Sequence, residues 1–238
     1  MPTLAIKTLL IASVMLALLP ATTAVQAQPK LTMAEEMECG PWKNQATPPP
    51  KDYRTAKPDY ITVVETYHFT PLVEQLIKPM FVHLGSDISY TLHALPNHPR
   101  ALVSLMKLAR KEGKDIPAGT VYSVDCYFRR ALRFAPDDPL PRMLYAQYLG
   151  QAKRRDEALR QLDAVVAQAG DRPLTHYNLG LLYVEFGEFD KALVQAHRSL
   201  ELGFDRPQLK DKLVAAGRWR EPAIQPPAAP ASTASSPD

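Results

Sequence analysis

Six histidines, two cysteines and a pair of adjacent carboxylates before a helix are the residues whose types suit chemistry. Their spacing decides what they can do. The histidines are His68, His83, His93, His98, His176 and His197. None falls in H-x-x-x-H or H-E-x-x-H, the spacings that place two imidazoles on one side of a helix for a metal. His93 and His98 are five apart across Pro96, a separation that crosses a helix end. His93 reads as helix surface and His98 as part of the Asn97-His98-Pro99 turn, not as metal ligands. Asp137-Asp138 precede a helix that starts near Pro139. Negative charge favours a helix N-terminus, which accounts for them without a catalytic acid–base pair. The ten glycines form no G-x-G-x-x-G, G-x-x-x-x-G-K or G-x-S-x-G. Cys39 and Cys126 form neither C-x-x-C nor C-x-x-C-H, so thioredoxin-type redox chemistry and c-type haem attachment find no support. No catalytic residue, metal or cofactor is assigned. The function class that remains is binding.

The 238 residues make one or two domains. A chain that is 46% hydrophobic and 22% charged is ordinary globular material, which excludes a collagen-like fibre and wholesale disorder. Twenty-three prolines against ten glycines suit Pro-started helices better than a sheet of tight turns. A formal net charge of +3 is too small to argue for nucleic acid.

Lys7 is the only early charge. An apolar run over 9–19 follows, then Pro20 and small or polar residues up to Val25-Gln26-Ala27. This is the pattern of a secretory signal, with cleavage expected after Ala27. The rival reading is an uncleaved anchor, but 11 apolar residues fall short of the roughly 20 that a span needs. No membrane span is expected in the mature chain, and the expected compartment is a bacterial periplasm. Cys39 lies too far from the apolar run for lipidation. In an oxidising compartment an even cysteine count favours a Cys39–Cys126 disulfide, the alternative being two unrelated thiols with one buried.

A period organises the rest. Arg154-Arg155-Asp156-Glu157-Ala158-Leu159 recurs as Glu188-Phe189-Asp190-Lys191-Ala192-Leu193, and both Ala158 to Ala192 and Pro139 to Pro173 span 34 residues. A fixed period of this length signals stacked helical hairpins. From Pro173 the chain carries Leu179, Gly180, Tyr183, Gly187, Phe189 and Ala192 at offsets 7, 8, 11, 15, 17 and 20. Gly187 suits a left-handed helix end, and Gly180 a close helix approach. The copy from Pro139 keeps Tyr145, Ala146, Leu149, Ala158, Leu162 and Val165 but has Lys153 in place of the glycine. The copy from Pro99 has six extra residues, placed at 114–119 between its two helices.

The repeat from Pro173 resembles the tetratricopeptide repeat (TPR) family, departing from it at His176 and Phe204. The stretch from about Tyr67 to Trp219 is similar to small exported bacterial TPR proteins. The resemblance implies an all-α fold, a right-handed superhelical stack of hairpins with a C-terminal capping helix. Repeats are expected at 70–98, 99–138, 139–172 and 173–206, with a cap at 207–219. In the first, Thr70-Pro71 is expected to open a helix to about Lys78, and Ser86 to cap a second one reaching Leu95. The resemblance also implies a concave face that binds peptide, built from offsets 2, 5, 9, 12 and 13 of each first helix. Carried over, these are Arg100, Val103, Lys107, Arg110 and Lys111, then Leu140, Met143, Gln147, Gly150 and Gln151, then Leu174, Tyr177, Leu181, Val184 and Glu185. The first end is basic and the rest largely apolar, so the expected partner is a protein or peptide segment with an acidic end and an apolar stretch. At offset 22, Cys126 would sit on the outer face of a second helix, where a wrapped N-terminal segment carrying Cys39 reaches it.

Residues 28–69 are expected to be irregular, with β-branched Tyr60-Ile61-Thr62-Val63-Val64 as a short extended segment. The Pro/Ala/Ser-rich stretch 220–238 is expected to be disordered. The leading functional expectation is an exported scaffold or adaptor without catalysis. A structural subunit of an envelope assembly or polymer-export machine is the alternative. An enzyme with an unfamiliar site would need a deep polar pocket lined by His68, His83 or His93.

Overall fold

The structure is a computed structural model and describes residues 39–40 and 49–222. The expected signal and the tail from residue 223 lie outside the described residues. Among those described there are ten helices and no strand. They are α1 (Pro58–His68), α2 (Pro71–Glu74), α3 (Leu84–Ala94), α4 (Pro99–Glu112), α5 (Val124–Phe134), α6 (Pro139–Gln151), α7 (Arg155–Ala169), α8 (Pro173–Glu185), α9 (Phe189–Glu201) and α10 (Pro207–Ala215). The fold is all-α and repeat-like. α4/α5, α6/α7 and α8/α9 are successive hairpins, and α4, α6 and α8 pack side by side. One continuous core runs from Phe69 and Val73 to Leu209 and Leu213.

Local chemistry explains the helix starts. Pro99, Pro139, Pro173 and Pro207 each open a helix, where a missing N–H costs no bond. His98 Nδ1 accepts the Ala101 N–H at 3.2 Å, and Asp138 Oδ1 accepts the Leu140 N–H at 3.1 Å. The first helix of each hairpin stops in the left-handed region. Gly113 (φ 64°) and Gly187 (φ 73°) do so without a Cβ, and Lys153 (φ 60°) does so with one. The backbone thus repeats where the residue type does not. Gly180 admits a close neighbour, but chiefly Leu209 of α10; Ala192 O of α9 would lie 3.4 Å from an added Cβ.

A second repeated device ties hairpins together. Tyr145 OH donates to Asp125 Oδ1, and Tyr183 OH to Asp163 Oδ1, both at 2.7 Å. Each aspartate also takes a cation from the following second helix or its N-cap, the N-cap Arg154 for Asp125 and Lys191 for Asp163, again at 2.7 Å. The 113–123 connection packs on the start of α3, where a Cβ on Gly119 would meet Ser86 Oγ at 2.5 Å.

The N-terminal part departs from expectation in three places. Tyr60-Ile61-Thr62-Val63-Val64 is helical, inside α1, not extended. Buried Val64, with Tyr60 and Ile61 on the same helix face, packs on Ala94 and Leu95, and that burial outweighs the β-branched preference. α2 is a single turn instead of reaching Lys78. Leu76 turns left-handed (φ 59°) to bury its side chain, and the N–H groups of Ile77 and Lys78 both return to Leu72 O. α3 begins at Leu84 with His83 as its N-cap residue, two residues before Ser86.

The segment before α1 is held on the stack. The Lys51 N–H donates to Ala94 O, and the Tyr53 N–H to Asn97 Oδ1, both at 2.9 Å. Asn97 Nδ2 donates to Asp52 Oδ1 at 2.8 Å and to Asp138 Oδ2 at 2.9 Å. Arg54 bridges Asp52 and Asp137 and, foremost through its hydrogen bond, holds the Asp52 carboxyl down at about 2. Farther upstream, Cys39 and Cys126 are at disulfide distance, with Cα atoms 5.1 Å apart, and Arg130 Nη1 donates to Cys39 O. At the other end, ordered contacts run past Trp219: its Nε1–H donates to Glu221 Oε1 at 2.9 Å.

Candidate binding face

α4, α6 and α8 lie edge to edge, so side chains seven apart on each stand along a common face. On α8 these include Leu174, 53% exposed, and half-buried Leu181 and Val184. On α6 they include Leu140, 37% exposed, and half-buried Gln147. On α4, Val103 is half-buried, while Lys107 and Arg110 are exposed with no ion-pair partner among the described residues. The face therefore combines apolar contact at one end with unpaired cations at the other.

The chain itself modifies the basic end. Arg100 donates to Glu65 Oε1 at 2.5 Å and to Glu74 Oε2 at 2.8 Å, and lies over the Phe69 ring. Lys111 Nζ donates to Leu76 O at 3.2 Å, and Ser104 Oγ to Glu74 O at 2.9 Å. Residues 65–76 thus cross the N-terminal edge of the face and neutralise Arg100. Burial pushes the Glu65 carboxyl up, but the hydrogen bonds from Arg100 and His98 outweigh it and leave it below its ordinary value.

Two expected anchors belong to the core. Met143 is 5% exposed and Tyr177 8%. The Tyr177 ring meets Phe204 edge-on at 5.1 Å and its hydroxyl donates to Gln208 Oε1 at 3.3 Å. The chain leaving α9 and entering α10 folds over it. The exposed apolar positions on this face are Leu140 and Leu174.

Most of the histidines are engaged in packing. His98 is buried with both ring nitrogens used, Nδ1 as the α4 cap and Nε2 3.0 Å from Glu65 Oε1. Burial lowers its pKa, opposed by Glu65. His68 is stacked on Tyr90 at 3.6 Å and Phe81 at 5.4 Å, with Nδ1 3.8 Å from Asp87 Oδ1; burial lowers its pKa against the opposing Asp87 charge. His93 is half-buried, its pKa lowered by burial and then by Arg130. His83 is exposed at the start of α3. His176 is buried between Gln195 and Gly170 O. Among the described residues no three His, Cys, Asp or Glu side chains group as metal ligands. Nor is any helix among them long and apolar enough to cross a membrane.

What sequence reasoning missed here is the pairing of Arg100. Glu65 and Glu74 lie in a stretch without clear apolar periodicity, and only the helical turn of α1 aims the first of them at α4. No family model, curated protein or solved structure matches the chain.

Proposed function

We propose that this chain is an exported, periplasmic scaffold or adaptor of TPR type that binds a protein or peptide segment on the concave face of a right-handed stack, without catalysis. The observation that carries the reading is the α4–α6–α8 face. Its adjacent first helices leave Leu140 and Leu174 in water beside Leu181 and Val184, and leave Lys107 and Arg110 exposed with no ion-pair partner among the described residues. An apolar strip bordered by charge is the composition of a binding site. The Pro-started hairpins with left-handed ends at Gly113, Lys153 and Gly187 support the repeat assignment. The cysteine pair at disulfide distance is compatible with export.

The partner's acidic end would meet Lys107 and Arg110, since Arg100 is already neutralised. Its apolar stretch would lie on Leu174, Leu181 and Val184. Affinity then comes mainly from the apolar contacts, and on-rate and salt dependence from the cations. Leu174→Asp with Leu181→Asp should abolish capture of the partner, while Val194→Asp, on the exposed side of α9, should leave it intact. Equal capture by both would refute the reading. A structural subunit of an envelope assembly is the second reading, favoured by the repeated Tyr–Asp ties that lock hairpin to hairpin.

A further inference from the structure

The charges of the three first helices can be accounted for one by one. On α4, Arg100 is held by Glu65 and Glu74, Lys111 Nζ donates to Leu76 O, and Glu112 Oε2 accepts the Ala118 N–H at 2.8 Å. On α6 the one Asp, Glu, Lys or Arg is Arg142, which is 8% exposed and donates from Nη1 to Gln161 Oε1 at 2.8 Å. On α8 it is Glu185, which is exposed. What is left is Lys107 and Arg110 on α4 and Glu185 on α8, none with an ion-pair partner among the described residues. Arg110 and Glu185 stand in the last turns of their helices, with the last turn of α6 between them. Gly150 of that turn lies against Phe186, next to Glu185: an added Cβ would meet the ring at 2.5 Å. On the other side, burial and then the Asp115 charge raise the pKa of the Tyr148 hydroxyl, so the residues just past α4 face α6 as well. Between the charged ends lie Gln147, Gln151, Leu181 and Val184. The face thus runs from cations, through amide and apolar side chains, to a carboxylate. Beyond it α10 adds exposed Asp211 and Lys212 side by side, whose charges cancel.

We infer that this face takes a charge-segregated peptide segment in one direction, its acidic end on Lys107 and Arg110 and a basic side chain on Glu185. The direction rests on the reading of the face as a binding site, and it adds the far end of the partner. Helices packed side by side lie about 8–10 Å apart, so α4 and α8 are about 16–20 Å apart. An extended segment rises about 3.3 Å per residue, which puts its acid and its base about five or six residues apart with apolar side chains between. Arg110 and Glu185 are then separated by more than the screening length of about 8 Å and do not neutralise each other. A segment of opposite charge order meets like charge at both ends. The chain's own segments outside the described residues fit less well. Residues 41–48 carry Lys43 and no acid, and 223–238 carry Asp238 and no base. Residues 28–38 carry both, as Lys30 with Glu35, Glu36 and Glu38. Cys39 fixes their end beside Cys126 of α5, in the row of second helices, and from there Glu36 reaches at most about 11 Å, the diameter of one helix.

Selection of random dodecapeptides, displayed on phage, against the immobilised chain reads the direction. The wild type should enrich peptides with an acid and a Lys or Arg about five or six residues apart and apolar residues between. Glu185→Lys should exchange the enriched base for an acid. It should bind the best wild-type peptide about fivefold to tenfold more weakly, with an unchanged circular dichroism spectrum. Asp156→Lys, the same charge change at an exposed position of α7, should alter neither pattern nor affinity. Enriched peptides that are acidic and apolar with no base, or a pattern that Glu185→Lys leaves as it was, overturn the inference while the reading of the face stands. No enrichment, or enrichment that Leu174→Asp with Leu181→Asp does not abolish, removes the face and the inference together. Enrichment that appears only after Glu35→Lys with Glu36→Lys makes residues 28–38 the occupant and also overturns it.

Discussion

Glu65 and His98 are joined across the α1–α4 boundary, with Glu65 Oε1 3.0 Å from His98 Nε2. The other ring nitrogen accepts the Ala101 N–H, so the proton sits on Nε2 and the ring is neutral. Tyr53 and Phe69 lie against the ring at 4.3 and 5.0 Å, and Arg100 adds positive charge nearby. Burial, the largest influence, lowers the pKa of His98 below its ordinary value. The unfolded chain then binds the proton first, at about pH 6.5. This contribution to stability is complete above that pH and lost as pH falls toward the lower folded value. Urea unfolding at pH 7.5 and pH 5 should show the loss. His98→Asn keeps a capping oxygen and should flatten the dependence, though not fully, because His68 and His93 are shifted the same way. An unchanged slope would contradict the assignment.

The Cys39–Cys126 pair closes a separation of 87 residues. The chain-entropy model gives such a cross-link about 4–5 kcal/mol, which native-state strain would reduce. Mass spectrometry of the protein from its native cells, alkylated without reduction, should find no free thiol. Reduction should lower the denaturation midpoint and expose the segment around Cys39 to protease. Two alkylated cysteines in the untreated protein would count against the bridge.

Lys153 holds a backbone conformation that costs a side-chain-bearing residue energy. Lys153→Gly should stabilise the protein by about 0.5–1 kcal/mol, less the entropy that glycine adds to the unfolded chain. Gly187→Ala, at the equivalent position one period later, should destabilise by about 1 kcal/mol. Urea midpoints of the two variants should move in opposite directions.

Asn97 links three segments through Tyr53 N, Asp52 and Asp138. Asn97→Ala leaves a part-buried N–H and two carboxylates short of a partner, at a cost of about 2–3 kcal/mol. Hydrogen exchange should then lose protection at Tyr53 ahead of the helices. Protection equal to wild type would mean that the hydrophobic contacts of Tyr53 and Ala56 hold this segment unaided.

The hairpins were legible because their signals are local. A proline opens each first helix, and apolar spacing and small residues at Gly180 and Ala192 recur within 34 residues. α1 was not legible, because its β-branched run favours a strand until Ala94 and Leu95 offer a surface to bury it on. The candidate face was legible in outline only. Its helix positions follow from the period, but the fate of each side chain depends on residues far along the chain. Arg100 is neutralised by acids 26 and 35 residues earlier, and Tyr177 is covered by Gln208, 31 residues later. No spacing within one repeat carries that information.

Site-specific photo-crosslinking in the native cell tests the central claim most directly. A crosslinker in place of Leu174, or of Lys107, should trap the same protein, through a segment that is acidic where it meets Lys107 and apolar where it meets Leu174. A crosslinker in place of Val194, on the opposite helix row, should trap nothing above background. If Leu174 and Lys107 trap no common partner, or Val194 traps the same one equally well, the α4–α6–α8 face is not where this protein binds.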